Sequence, residues 1–371
     1  RWGVFNVLNE SNQERLKAIL EDLEKEASSA GGEGQDDDDQ FERRLLCNYH
    51  QAFMDVDTIE KDGIAPLVAI IESIQKMSAS TMTDTIAELW KSTGIGAFFG
   101  FYAMPSKDDS SHTLLNIVQG GLGLPDRDYY FEKVHEEKRE KYIMYLESMF
   151  KLLGEKGCSD DVDVKIGEPY KTAKGYRDAA RVVFDFEKLI AGSHMSKIDN
   201  RDPVKTWNEV DWDALTTLLW TKPTWSEYLT TGAKPAQHTF FDISQFFAKI
   251  GHDPSTLGVV NVANVEALQA VVKLACPSNV DAIRHYLVAR HVKAAMPFLS
   301  QDFLSVYFDF FDKEMSGTKE MKERWKMALD NQMSDLPDCM GKLYVARYFD
   351  QSCKQKALDI VRDVKEALRQ R

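Results

Sequence analysis

Hydrophobic residues recur at helical spacing along most of this chain. Leu16, Ile19, Leu20 and Leu23 form one stripe, and the spacing predicts a helix there, with Ser11 and Glu14 as a capping box at its start. Phe41 to Met54, Leu67 to Lys76 and Thr81 to Lys91 repeat the pattern. So do Ile143, Leu146, Met149, Phe150 and Leu153, the stretch Tyr176 to Leu189, and Ala357, Ile360, Val361, Val364 and Leu368 near the end. Ser278 to Asp312 reads as one long helix, or as two broken near Pro297, which has no N–H to donate. Strand signals are few. Phe98 to Met104 and Thr113 to Val118 predict a hairpin, joined by Pro105 to Ser111. The expected fold is mainly α, a large multi-helix lobe with a small β-hairpin.

The hairpin runs into the most unusual stretch of the chain, Gln119 to Tyr130. Gly120, Gly121 and Gly123 permit backbone conformations closed to other residues, Pro125 fixes φ, and Asp126 or Asp128 can cap the helix that follows. Tyr129 and Tyr130 supply two rings to bury, and Arg127 is expected to sit in a satisfied carboxylate pair. These residues predict a rigid corner between strand and helix.

Composition narrows the function classes. A hydrophobic content of 43% over 371 residues supports a sizeable core. The net charge of −13 argues against nucleic acid and anionic membrane surfaces as partners. No apolar run reaches the ~18–20 residues of a membrane span. Ala27 to Gln40, with aspartates at 36 to 39, reads as an acidic flexible insertion without the ligand spacing of a calcium loop. Trp207, Trp212, Trp220 and Trp225 are read as core, and Gly94 to Gly100 misses the spacing of a nucleotide loop. His285 and His291, six residues apart, point about 240° from each other on a helix and cannot share a metal unaided. Five cysteines, at 47, 158, 276, 339 and 353, lack zinc-ligand spacing.

Gly-Leu-Gly-Leu-Pro-Asp-Arg-Asp-Tyr-Tyr, from Gly121 to Tyr130, resembles a signature of the neprilysin/endothelin-converting-enzyme family of zinc metallopeptidases. Arg1-Trp2-Gly3-Val4-Phe5, Arg201-Asp202-Pro203 with Trp207-Asn208, and Gly341-Lys342-Leu343-Tyr344-Val345 through Tyr348-Phe349 resemble further family segments in the same order. The family's zinc motif, His-Glu-x-x-His, is absent from these residues. The nearest string, His135-Glu136-Glu137-Lys138-Arg139, reads as a solvated helical face.

The resemblance therefore implies the amino-terminal, non-catalytic half of such an enzyme. Residues 1–371 would form its helical domain, with 27–40 as the insertion and the catalytic zinc domain lying outside this chain. No cofactor is expected here, and zinc belongs to the missing half. The implied role is to select substrates and close the cavity of an endopeptidase that cleaves oligopeptides, the chain alone being inactive. The alternative is a non-catalytic helical binding or scaffold module derived from that family. The implied partners are peptide substrates and the catalytic half of the same polypeptide, with no nucleic acid and no membrane contact from these residues. Compartment stays open between a secreted or membrane-anchored ectodomain and the cytoplasm.

By the same resemblance, Arg1 binds the carboxyl end of the substrate and Phe5 lines the pocket for the hydrophobic residue after the cut. Asn6 stands where relatives often carry Asp, and Asn9 where they often carry Arg, which implies looser carboxylate recognition. Relatives bridge a cysteine at the place of Cys47 to one near Trp325. Here Arg324-Trp325-Lys326-Met327 offers none, so Cys47 pairs elsewhere or stays a buried thiol.

Overall fold

The structure, a computed structural model, describes residues 3–29, 38–157, 166–220 and 241–370. Two compact units emerge, one formed by the two ends of the chain (1–59 and 319–371) and the other by 60–318.

In the first unit, α1 (Val4–Ser29), α2 (Asp38–Met54), α14 (Arg324–Asp335) and α15 (Pro337–Tyr348) share a core. The predicted stripe Leu16, Ile19, Leu20 and Leu23 meets Leu46, Leu329 and Met340 there. Two buried or half-buried polar groups tie the helices together: Gln332 Nε2 donates to the Leu46 carbonyl at 2.7 Å, and Arg324 Nε donates to that of Phe53 at 2.8 Å. The helix starts earlier than the capping-box reading places it. Gly3 accepts from the amides of Asn6 (3.0 Å) and Val7 (3.3 Å), so Ser11 falls inside α1 rather than at its cap. Most of the acidic insertion, 30–37, lies outside the described residues. Asp38 and Asp39 instead open α2, where carboxylates suit the positive end of a helix, and Asp39 pairs with Arg43 at 2.9 Å and Lys342 at 3.0 Å.

The closing helix, α16 (Gln351–Arg369), is capped by Asp350, whose side chain accepts from the Cys353 amide at 2.8 Å. Its apolar stripe is the cleanest in the chain, yet none of its residues is buried: Ile360 is 64% and Leu368 66% exposed. Among the described residues, then, this stripe has no apolar partner.

The second unit is built on a four-stranded sheet of order β1-β2-β4-β3. β1 (Phe99–Pro105) and β2 (Thr113–Gln119) form the predicted hairpin, in register from Phe99 opposite Gln119 to Pro105 opposite Thr113. The other two strands, β3 (Glu209–Asp211) and β4 (Val259–Val262), were not legible as strands. They are only three and four residues long, and β4 joins β2 in parallel across more than a hundred residues of chain. Asn261 donates to Asn116 beneath this junction, which satisfies two amides that the sheet buries.

Against the sheet lies an aromatic core. Phe99 and Phe101 meet Phe246 and Phe247 of α10 (Ile243–Lys249), and Trp212, at the start of α9 (Trp212–Trp220), stands edge-on to Phe247 with centroids 5.4 Å apart. Each such ring, fully buried, contributes roughly 1.5–3 kcal/mol. Trp212 is thus core as expected, Trp207 is half-buried at the surface, and Trp225 lies outside the described residues. α7 (Glu136–Lys156), α8 (Ala173–Gly192) and α12 (Val280–Ala295) pack against one another in the same core. α12 is buried on nearly every face, through Ile283, Tyr286, Leu287, Val288, Ala289, His291 and Val292, as befits a central helix. A short turn around Pro297 separates it from α13 (Gln301–Tyr307), which decides between the two readings the sequence left open, and a π-helical stretch, Phe308–Met315, follows.

The glycine corner connects β2 to α6 (Asp128–Phe131), a single turn, and α7 begins only at Glu136. Gly121 has φ +89°, a conformation that favours glycine. Gly123 is required for a different reason: its φ is ordinary, but a Cβ there would fall on the Tyr142 hydroxyl and within 2.8 Å of Glu187. Asp126 accepts from the Asp128 amide at 3.0 Å, and Tyr130 is buried while Tyr129 is half-buried against His135. Arg127 departs from expectation. Its nearest carboxylate, Asp128, is 3.9 Å away and it lies over the Phe131 ring in partial solvent, so its pairing is weak.

These observations order three substitutions. Gly123→Val should cost about 3 kcal/mol or more through overpacking, and Gly121→Val about 1–3 kcal/mol through backbone strain. Arg127→Ala should cost under about 1 kcal/mol, close to an exposed control such as Lys133→Ala. Chemical denaturation of the four variants measures the order, and a Gly123→Val variant as stable as the control would refute the packing argument.

Candidate functional site

Where polar chemistry concentrates in the 60–318 unit is behind the glycine corner. The amides of Gly123 and Leu124 donate to the Tyr130 hydroxyl at 3.2 and 3.1 Å, and that hydroxyl donates to Glu187 Oε2 at 2.7 Å. Tyr142 Oη, from α7, donates to the same carboxylate at 3.0–3.1 Å. Glu187 is fully inside the protein on α8, whose N-terminus is set by Thr172 accepting from the Gly175 amide at 3.0 Å. From α12, Lys293 Nζ donates to the Gly123 carbonyl at 3.2 Å and lies 4.0 Å from the Phe311 ring centroid. Arg290 Nε donates to the Gly96 carbonyl at 2.9 Å. Between these groups lies a cavity of about 240 Å³ whose remaining walls include Ile95, Leu122, Leu146, Pro297 and Tyr307.

Burial sets the electrostatics here. It pushes the Glu187 carboxyl above the usual carboxylate range, against the two tyrosine hydroxyls and the cations Arg290 and Lys293, which favour the charged form. It likewise depresses the Lys293 ammonium to about 8, with Glu187 pulling it up and Arg290 down. The phenols of Tyr130, Tyr142 and Tyr145 are held well above their ordinary range, chiefly by burial.

The residues singled out in the sequence lie elsewhere. Arg1 is outside the described residues. Phe5 is 86% exposed on α1, and the Asn6 side chain accepts from the Gly3 amide at 3.2 Å, acting locally as a cap. His285 faces Tyr170 Oη at 3.2 Å, whereas His291 is buried with Nδ1 2.8 Å from the Leu287 carbonyl, so the two do not converge. Arg201-Asp202-Pro203 forms a turn in which Asp202 accepts from the Val204 amide at 2.8 Å, and Asn208 braces β4, donating to the Val262 carbonyl at 3.1 Å. Among the described residues no group of three or more His, Cys, Asp or Glu is placed to hold a metal. Cys47 is a buried free thiol, and Cys276, Cys339 and Cys353 are also free.

Glu187 was missed, although a signal exists. It occupies a core-facing position of α8 between Val183-Phe184 and Ile190-Ala191, where a charge is costly unless partnered. Its partners, Tyr130, Tyr142 and the cations of α12, come from three distant segments, and no local pattern links them.

The fold has known counterparts. A family model described as peptidase family M13, Peptidase_M13_N, matches residues 1–371. The chain belongs to peptidase family M13. Endothelin-converting enzyme 1 of Bos taurus is 25% identical over 99% of this chain and 44% of its own length. Neprilysin-1 of Caenorhabditis elegans is 26% identical over 79% of this chain and 36% of its own. This M13 chain thus spans a little under half the length of endothelin-converting enzyme 1. Among solved structures, the Mycobacterium tuberculosis zinc metalloprotease Zmp1 in complex with an inhibitor superposes with a TM-score of 0.76 at 22% identity, covering 94% of this chain and 47% of Zmp1. PepO from Lactobacillus rhamnosis gives 0.71 at 16% identity over 95% of this chain and 49% of its own. Both likenesses bear on the fold, and they agree with the mainly helical lobe expected from the sequence.

The buried tyrosines make a pH prediction. Above pH ~10 the unfolded chain releases phenol protons that the folded chain retains. The unfolded state then binds fewer protons, so stability is full below that pH and falls as pH rises further. Lys293 opposes this between about 8 and its ordinary 10.5, because there the folded state is the one that has lost its proton. The tyrosines outnumber it. Tyrosinate absorbance from these residues should therefore appear together with loss of the folded circular dichroism signal. Free titration near the ordinary phenol value with the fold intact would contradict the burial account.

Proposed function

We propose that this chain is the substrate-selecting, cavity-closing half of a zinc endopeptidase that hydrolyses peptide bonds in oligopeptides. The observation that carries the reading is the pairing of two facts: the M13 amino-terminal model matches residues 1–371, and the chain spans only 44% of endothelin-converting enzyme 1. The zinc implied by the family does not fit the residues present. They contain no His-Glu-x-x-His, and the described ones assemble no metal-binding group. Zinc and the water-activating glutamate are therefore assigned to residues outside this chain, in a catalytic half of the same polypeptide.

Two features support a role for this half in recognition and assembly. The α16 stripe of Leu358, Ile360, Val361, Val364 and Leu368 is exposed along its length, an apolar face suited to packing against a catalytic half. At the other end of the chain, Arg1 has the planar fork that suits a substrate carboxylate, Phe5, unburied in this unit, offers an apolar wall, and Asn6 is the next residue, a neutral side chain.

The isolated chain should bind no stoichiometric zinc after dialysis and should leave a fluorogenic peptide uncut. In a polypeptide extended through a zinc domain, hydrolysis should appear. Arg1→Ala in that longer protein should raise KM by roughly tenfold for peptides with a free carboxyl end and much less for amidated ones. Chelator-sensitive cleavage by the isolated chain would overturn the division of labour. A longer protein that folds and cuts no peptide would favour the scaffold reading instead.

A further inference from the structure

The chamber behind the glycine corner carries more positive charge than its own structure uses. Arg290 and Lys293 stand three residues apart on α12, so both project from one face of the helix into the cavity. Glu187 is the sole acidic residue in the lining, and its oxygens already accept from Tyr130 and Tyr142. Neither cation lies within ion-pairing distance of a carboxylate among the described residues. Each is instead aimed by a single backbone carbonyl: Gly96 holds Arg290 by Nε, and Gly123 holds Lys293. Arg290 also meets the Tyr286 hydroxyl and lies over that ring, which leaves part of its guanidinium fork and two ammonium N–H groups of Lys293 without a further acceptor among the described residues, in a chamber otherwise walled by Ile95, Leu122, Leu146, Ala289, Ala294 and Pro297.

Cations with unused donors in partly apolar surroundings are costly, and a bound anion relieves that cost. A guanidinium with its Nε occupied still presents a planar pair of donors to an oxyanion, while the ammonium adds a point charge. The size is also restrictive. At about 240 Å³ the cavity is smaller than the ~300–1,000 Å³ of pockets that take drug-sized ligands, so it suits a few heavy atoms and excludes a peptide. We propose that this chamber is a binding site for a small free oxyanion, a short carboxylate or phosphate, held between Arg290 and Lys293. The proposal does not rest on the peptidase reading, since every residue it uses lies within the 60–318 unit.

The site also makes a statement about Lys293 itself. The titratable and charged groups that line the cavity with it are Glu187 of α8, Tyr142 of α7, Tyr307 of α13 and Arg290 of its own helix, of which Glu187 and Arg290 act on its charge. Burial leaves the ammonium easier to deprotonate than usual, and an anion beside it would restore its proton affinity.

Titration calorimetry on the full 371-residue chain, with sodium malonate and sodium phosphate as probes and sodium chloride at matched ionic strength as control, tests this. One saturable site for malonate or phosphate is expected, with none for chloride, and whichever probe binds more tightly identifies the carboxylate or the phosphate as the preferred group. Arg290→Gln and Lys293→Gln should each weaken binding by roughly tenfold or more, and Lys133→Gln should leave it unchanged. Arg290→Lys, which keeps the charge, guards against misfolding as the cause: it should fold, and bind more weakly than the native chain but better than Arg290→Gln. Amine labelling read by mass spectrometry should show the Lys293 midpoint moving upward when the bound probe is present. Absence of saturable binding for both probes, equal binding of chloride, or unchanged affinity in both Gln variants would overturn the proposal.

Discussion

A single buried carboxylate organises the larger unit of this protein. Glu187 lies inside α8, and two tyrosine hydroxyls reach it, Tyr130 from the glycine corner and Tyr142 from α7. The corner in turn gives two backbone amides to Tyr130. One charged group thereby fixes the relative placement of two long helices and the exit of the hairpin. Its burial is tolerable only because every donor is in place, which explains why Gly123 has no room for a side chain: the space beside its Cα is filled by the Tyr142 hydroxyl.

The same arrangement explains α12. Tyr286 donates to the carbonyls of Ala97 and Gly121, so the helix grips both ends of the segment that leads through the hairpin. Arg290 and Lys293, one and two turns further on, hold Gly96 and Gly123 in the same way. Backbone carbonyls of an irregular segment need donors, and a central helix supplies them from three side chains. The chamber is a by-product of that bracing. Long side chains that reach backward to carbonyls leave space between them, and the charge that braces the loop also faces the space.

The terminal unit is held by simpler means. Its core is one stripe of α1 against Leu46, Leu329 and Met340, with Gln332 and Arg324 donating to carbonyls at turns of α2. α16 then stands apart in character, equally amphipathic but wholly exposed. That exposed aliphatic stripe is the feature on which the proposed packing against a catalytic half rests.

By itself the sequence determined the helices, because a 3.6-residue period is a local property: the stripes of α1, α2, α8 and α16 and the hairpin all follow from residues close together in the chain, while the break at Pro297 was one of two readings it allowed. It also carried the family, through contiguous motifs such as Gly121 to Tyr130. Some local readings misled. The Ser11–Glu14 pattern is a cap only if the chain is not already helical before it, and Arg127 beside two aspartates looked like a firm ion pair where the geometry makes only a loose one, 3.9 Å from Asp128. What tertiary structure alone decided was every relation between distant segments. β4 is a strand because β2 offers it an edge, and β3 because β4 offers the next, and Gly123 is indispensable because Tyr142 arrives from another helix. Glu187, Arg290 and Lys293 meet only when α8 and α12 pack. Hydrogen bonds and charge depend on distance in space, and a sequence records only distance along the chain.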